Sequence, residues 1–183
     1  MKIIETPLKD LVIIEPNVFE DARGYFMESY KQSVLEPSSG SFHIIQENES
    51  FSRRGALRGL HYQAPPFAQA KLVRCIQGEV LDVCVDIRKD SPTYLKSYSV
   101  VLSDKNKLQI FVPKGFAHGF ITLSETALFS YKVDAPYAPQ SEGGIYWNDP
   151  ALDIDWRLNG LDYIISEKDS KLPNISQWES PFE

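Results

Sequence analysis

Leu81-Asp82-Val83-Cys84-Val85-Asp86-Ile87-Arg88 places an aliphatic residue at every odd position and a mostly polar one at the even positions. This is the period of two expected of a β-strand with one face in a core, and helical periodicity fails over the same residues. The segment predicts a half-buried strand. Working outward, short runs rich in β-branched and aromatic residues recur at Leu11–Glu15, Gly24–Tyr30, His43–Glu47, Lys71–Ile76, Lys96–Leu102, Leu108–Val112, Gly119–Leu123 and Ala127–Val133. Most are bounded by Gly, Pro, Asp or Ser, so about nine closely spaced strands are predicted. Such spacing favours a sandwich or closed barrel over a fold that alternates strands with helices. Helical signals are short: one around Lys31–Glu36, ending at Pro37-Ser38-Ser39-Gly40, and a C-terminal segment after Ser166.

The 183 residues fit a single domain over 1–183, with no repeat, low-complexity tract or linker to divide it. Nineteen basic residues against twenty-five acidic ones give a net charge of −6, which argues against nucleic-acid or anionic-membrane binding through a basic surface. Cys75 and Cys84 form no CxxC pair and are too few for a disulfide scaffold, so they read as reduced packing residues. Glu5, Pro7, Lys9 and Asp10 interrupt any signal-peptide core, and no segment is apolar enough to predict a membrane helix, so a cytoplasmic protein is expected. GxGxxG, GxxxxGK[ST] and GxSxG are absent, which removes support for a Rossmann dinucleotide site, a P-loop and an α/β-hydrolase elbow. With only His43, His61 and His118, a histidine-rich metal site would need most of them together.

Two segments remain: Leu57-Arg58-Gly59-Leu60-His61-Tyr62-Gln63 and Pro113-Lys114-Gly115-Phe116-Ala117-His118-Gly119-Phe120. PxGxxH in the second half of an all-β chain resembles the second motif of the cupin superfamily, which implies a mainly β jelly roll, or double-stranded β-helix barrel, with a few short helices. The superfamily's first motif supplies His-x-His and a Glu to a metal. Here it reads His61-Tyr62-Gln63, so no metal and no cofactor is expected, and the resemblance implies a pocket given over to acid–base chemistry.

A longer ordered series covers almost the whole chain. It runs Phe19-x-Asp21-x-Arg23-Gly24-x-Phe26-x-Glu28, Gln46-x-Asn48, Leu57-Arg58-Gly59-Leu60-His61, Lys71-Leu72-Val73-Arg74 and Asp86-Ile87-Arg88. It continues with Pro113-x-Gly115-Phe116-Ala117-His118-Gly119-Phe120, Tyr131-Lys132, Ser141-Glu142-Gly143, Trp147-Asn148-Asp149 and Ser166-x-Lys168-Asp169. The series resembles the dTDP-4-dehydrorhamnose 3,5-epimerase family. Each piece alone is weak; their ordered combination is specific. Many members have histidine where this chain has Glu49.

The chemistry implied is inversion of carbons beside a ketone, which needs a base, an acid on the opposite side and a group to stabilise the enolate. A histidine with an ordinary pKa near 6.5 suits the base. The resemblance gives that role to His61, its carboxylate partner to Asp169, the acid to Tyr131 and enolate stabilisation to Lys71. It implies a dTDP-sugar substrate whose diphosphate is held by Arg23 and Arg58. Phe26 and Tyr137 then flank the base and sugar, and Glu28, Gln46 and Asn48 contact the nucleotide. His118 lies near the sugar and Glu142 covers it. In this family the N-terminal strands cross to a second subunit, which implies a homodimer with Arg23, Phe26 and Glu28 serving the partner's site.

Each of these residues also has a plain structural reading. His61 and Tyr131 could be satisfied interior side chains, Lys71 a surface strand residue, Asp169 a cap, and Arg23 a partner of Asp21 or Glu28. At the level of function, the alternatives are a single-site epimerase of a related nucleotide 4-keto sugar, a metal-dependent cupin oxygenase and a non-catalytic sugar-binding cupin.

Overall fold

The computed structural model describes residues 1–39 and 42–183, the side chains of residues 36–39 excepted. In chain order its strands are β1 (Lys2–Glu5), β2 (Val12–Glu15), β3 (Val18–Asp21), β4 (Gly24–Met27), β5 (Gln46–Arg53), β6 (Ala56–Gln63) and β7 (Lys71–Gln77). They continue with β8 (Glu79–Asp86), β9 (Ser97–Ser103), β10 (Gln109–Val112), β11 (Phe116–Thr122), β12 (Thr126–Val133), β13 (Glu142–Gly144) and β14 (Ile164–Ile165). Two helices, α1 (Gln32–Ser39) and α2 (Glu167–Ser170), are the α-helical content. α1 runs past Pro37, where its end was predicted; Gly40, the expected stop, lies outside the described residues.

One six-stranded sheet has the order β1-β2-β10-β7-β12-β5. The facing sheet has the order β13-β6-β11-β8-β9, with β14 also pairing to β6. Their inner faces meet in an apolar cluster that takes Ile13, Val73, Ile110 and Phe129 from the first sheet and Val80, Cys84 and Phe120 from the second. The outer face of the second sheet is buried as well. Leu81, Val83, Val85 and Ile87 pack there against Trp147, Leu152 and Trp156 of the returning C-terminal segment. On the outside of the first sheet, Val12, Ile14, Leu72 and Phe111 are covered by Leu35 of α1 and by Phe42. Removing apolar area from water drives this layering, with dispersion contacts adding to it.

The half-buried reading of Leu81–Arg88 is therefore corrected. Asp82, Cys84 and Asp86 are all 0% exposed, so the polar face of β8 points into protein and not into water. Each carboxylate is satisfied inside the fold, as burial of a charged group demands. Asp82 accepts from His118, while Asp86 accepts from Arg88, Ser91 and Thr93.

Six strands were missed or displaced: β1, β3, β5, β6, β13 and β14. β5 reads Gln-Glu-Asn-Glu-Ser-Phe-Ser-Arg, with a half-buried face of Gln46, Asn48 and Ser50 that lines a cavity instead of joining the core. β6 loses its alternation at Arg58-Gly59, where the register against β11 shifts between His118 and Phe120. β1, β13 and β14 are only two to four residues long. The hairpin β3–β4 forms a two-stranded sheet of its own, with Phe19, Tyr25 and Phe26 more than half exposed. No described helix is long and apolar enough to cross a membrane.

Candidate active site

His61 and His118 are cross-strand partners on β6 and β11, so both imidazoles lie on one sheet face. That face opens on a cavity of about 510 Å³ lined by both histidines, Arg58, Lys71, Tyr131 and Asp169. A contiguous recess of about 250 Å³ shares His61, Lys71 and Tyr131 and adds Gln46, Asn48, Tyr137 and Glu142. Lys71 and Tyr131 come from β7 and β12 in the opposite sheet, where Lys71 pairs with Val133 and Tyr131 lies two residues before it. His61 and Tyr131 thus approach the cavity from opposing walls.

Asp169 lies 108 residues from His61 in sequence, and its Oδ1 is 2.7 Å from His61 Nε2. Its Oδ2 accepts from the Gly59 amide at 3.2 Å. The backbone holding it is α2, whose N-cap Ser166 accepts from the Asp169 amide at 3.0 Å. Gly59 is required here. At φ +117° a side chain is strained, and a Cβ would come within 2.6 Å of Gly119 Cα and 2.7 Å of the His118 carbonyl oxygen. The close passage of β6 over β11 is what directs the Gly59 amide at Asp169.

Burial pushes the Asp169 carboxyl up, but the hydrogen bond and charge of His61, together with the Gly59 and Ser166 bonds, hold it below its ordinary range. Asp169 is ionised and can only accept, so in the neutral form of His61 the proton sits on Nε2 and the lone pair on Nδ1. A neutral imidazole fixed in one tautomer is a poised base.

The Lys71 side chain is partly accessible from the cavity, and its ammonium makes no hydrogen bond or ion pair among the described residues. Burial lowers its pKa, with Cys84, Asp82 and Glu142 acting against the shift. It is an under-solvated cation ready for a negative oxygen. Tyr131 is half-buried, and burial raises its phenol while Arg58 and Asn48 oppose the shift; it stays protonated well above neutrality. His118 Nε2 lies 2.9 Å from Asp82 Oδ2, and both residues are almost wholly enclosed.

The rim is a connected set. Glu142 Oε2 accepts from Tyr137 Oη at 2.9 Å and Lys168 Nζ at 2.6 Å, while Gln46 donates to Asn48 and accepts from the Tyr137 amide. Burial raises the Glu142 carboxyl, yet the Lys168 and Tyr137 bonds bring it below its ordinary value. Arg58 has no carboxylate partner among the described residues; its Nε donates to Ser52 Oγ at 3.2 Å. The set expected at the first metal motif of the cupin superfamily does not fit a metal. His61 is engaged by Asp169, and Gln63 is spent on the Phe67 and Pro136 carbonyls and the Ala138 amide.

The family model for dTDP-4-dehydrorhamnose 3,5-epimerase matches residues 5–177. The chain belongs to that family. A curated 3,5-epimerase of Salmonella typhimurium is 49% identical over 178 residues, covering 97% of each chain. Among solved structures, the 3,5-epimerase of Elizabethkingia anophelis superposes with a TM-score of 0.92 at 53% identity, covering 97% of both chains. The Legionella pneumophila epimerase in complex with dTDP-4-keto-L-rhamnose superposes with a TM-score of 0.91 at 45% identity, covering 96% of this chain and 93% of that one. The mainly β, cupin-like architecture is that of these epimerases.

Within the single epimerase chain, ten of the thirteen expected site residues border the joined cavities: His61, Lys71, Tyr131, Asp169, Arg58, His118, Gln46, Asn48, Tyr137 and Glu142. Arg23, Phe26 and Glu28 do not. Arg23 closes on Asp21 at the fully exposed hairpin, Phe26 is 67% exposed, and Glu28 pairs with Lys31 at 3.2 Å. Glu49 faces outward on β5, away from both cavities. Sequence reasoning missed Ser50 as a cavity group, Asp82 as the partner of His118, and Lys168 as the partner of Glu142. Only the odd–even alternation of β5 and β8, applied to a polar interior, carries a signal for the first two.

Proposed function

We propose that this epimerase converts dTDP-4-dehydro-6-deoxy-D-glucose to dTDP-4-dehydro-L-rhamnose by inverting C3 and C5, for dTDP-L-rhamnose biosynthesis. The observation that carries the reading is the 2.7 Å His61–Asp169 pair on one sheet with Lys71 and Tyr131 on the facing sheet. His61 Nδ1 takes the proton from the carbon beside the 4-keto group. The carbon's electron pair moves into an enolate whose oxygen is stabilised by Lys71, and the imidazolium is stabilised by Asp169. Tyr131 returns a proton from the opposite wall, which inverts the centre. The unpaired Arg58 guanidinium suits the diphosphate, and exposed Tyr137 offers a ring to the base or sugar.

The hairpin supports a homodimer. Three half-exposed aromatics beside Arg23 form a patch that does not border the His61 cavity of its own chain, so a second copy would bring Arg23, Phe26 and Glu28 to the neighbouring site. The free, buried cysteines fit a reducing, cytoplasmic setting. The deciding experiment follows the 4-keto substrate by NMR in D₂O: deuterium is expected at both C3 and C5, with L-rhamno product. Exchange at one carbon alone would overturn the two-centre reading. Tyr131→Phe should still incorporate deuterium while product formation falls by about 10²-fold or more; loss of exchange would remove the separate acid and base roles.

A further inference from the structure

Cys84 has no part in that reaction, yet it stands in unusual company. It lies directly opposite His118 across β8 and β11, and Asp82, two residues earlier, shares its face of β8. The Cys84 Sγ, an Asp82 carboxylate oxygen and a His118 ring nitrogen all lie within 4.8 Å of one another. Cys84 Sγ is 3.7 Å from Asp82 Oδ1, and Asp82 Oδ2 is 2.9 Å from His118 Nε2. Asp82 and Cys84 are 0% exposed and His118 6%, and this is the one His/Cys/Asp/Glu group of its kind among the described residues.

We propose that Asp82, Cys84 and His118 bind a thiophilic divalent cation, zinc by preference, behind the cavity wall that His118 forms. With bonds of about 2.0–2.3 Å, ligands around tetrahedral zinc stand about 3.3–3.8 Å apart. The sulfur–oxygen distance already fits, and the Asp82–His118 pair must open by only a few tenths of an ångström. One sulfur, one nitrogen and one oxygen select a borderline metal over magnesium or calcium, which take oxygen sets. The charges balance: the cation displaces the Cys84 thiol proton to solvent, the His118 proton held between Nε2 and Asp82 moves to Nδ1 so that Nε2 can ligate, and thiolate plus carboxylate offset the two charges. Because the three groups sit on paired strands of a rigid sheet, little ordering is needed. Of the three, His118 lines the cavity, while Asp82 and Cys84 are wholly buried. The ammonium of Lys71, the cation facing this cluster, would then meet a second cation, and His118 would be withdrawn from the sugar. Occupancy should inhibit.

The test uses the full chain and cobalt as a spectroscopic probe. One equivalent of Co²⁺ should give a thiolate-to-metal charge-transfer band that zinc displaces, and Cys84→Ala should abolish it. In equilibrium dialysis that variant should hold zinc at least about 100-fold more weakly, since losing a direct ligand should cost at least as much as losing an outer-shell partner. Cys84→Ser, closer in size, guards against a folding defect. Metal-free Cys84→Ala should turn over like the wild type and resist zinc, whereas magnesium should inhibit neither. A wild-type chain without the cobalt band, or Cys84→Ala equally sensitive to zinc, would overturn the proposal. The spectrum requires no turnover, so its outcome is independent of the substrate assigned above.

Discussion

The cavity wall around His61 and the hairpin β3–β4 treat their polar and aromatic groups in opposite ways. On the wall, nearly every group has a partner within the chain: Asp169 for His61, Asp82 for His118, Tyr137 and Lys168 for Glu142. At the hairpin, Phe19, Tyr25 and Phe26 face outward at 62%, 54% and 67% exposure, and Arg23 has only its neighbour Asp21. One region is complete in a single copy. The other exposes its aromatics with few partners, Lys107 over the Tyr25 ring among them, and a two-stranded ribbon by itself is marginally stable in water. On the proposed homodimer, the chemistry would belong to the single chain, and part of the binding to the assembly.

The contrast breaks first at His61. His61→Ala should lower kcat by about 10³-fold or more while Tm moves little, because a partly exposed base is lost without opening the core. A variant with wild-type kcat would end the base assignment. Asp169→Asn should cost about 10²-fold or more in kcat, since an amide cannot stabilise the imidazolium. It also carries a pH signature. The folded-state pKa of Asp169 is lowered, so ionised Asp169 adds stability above the ordinary carboxylate value near 4, and that stability is lost as pH falls through the lower folded value. Acid titration of Tm should be shallower for Asp169→Asn than for wild type in that window; coincident curves would contradict the pairing.

The hairpin half of the comparison is tested by mixing. Arg23→Ala and His61→Ala should each be impaired alone, but equal amounts unfolded and refolded together should recover about a quarter of wild-type activity if the hairpin serves a second copy. No recovery would place Arg23 in its own chain's site. The smallest effect is expected at Glu49, whose side chain faces outward on β5: Glu49→Ala should change kcat/KM by less than about two-fold. A larger loss would mean that the outer face of β5 takes part in binding.

Much was legible without coordinates. Alternation at Leu81–Arg88 and the β-branched and aromatic runs at Lys71–Ile76 and Ala127–Val133 identified interior strands. The ordered motifs, by resemblance, named the family and ten residues that do border one cavity. The same alternation misread β5 and β6, and took the polar face of β8 for a wetted one. Around a binding cavity the interior itself is polar, so hydropathy no longer tells inside from outside.

What the chain determines locally, then, is which residues alternate, which glycine can adopt φ +117° and which serine can cap the turn that carries Asp169. What only the tertiary structure decides is who meets whom. Asp169 reaches His61 across 108 residues because the C-terminal segment is drawn back over the second sheet by burial of Trp147 and Trp156. Cys84 comes to lie opposite His118, on the face of β8 that carries Asp82, because β11 pairs in register with β8. Hydrophobic burial is non-directional and supplies the closure, while strand register supplies the ångström-scale placement, and neither is written in the spacing of residues along the chain.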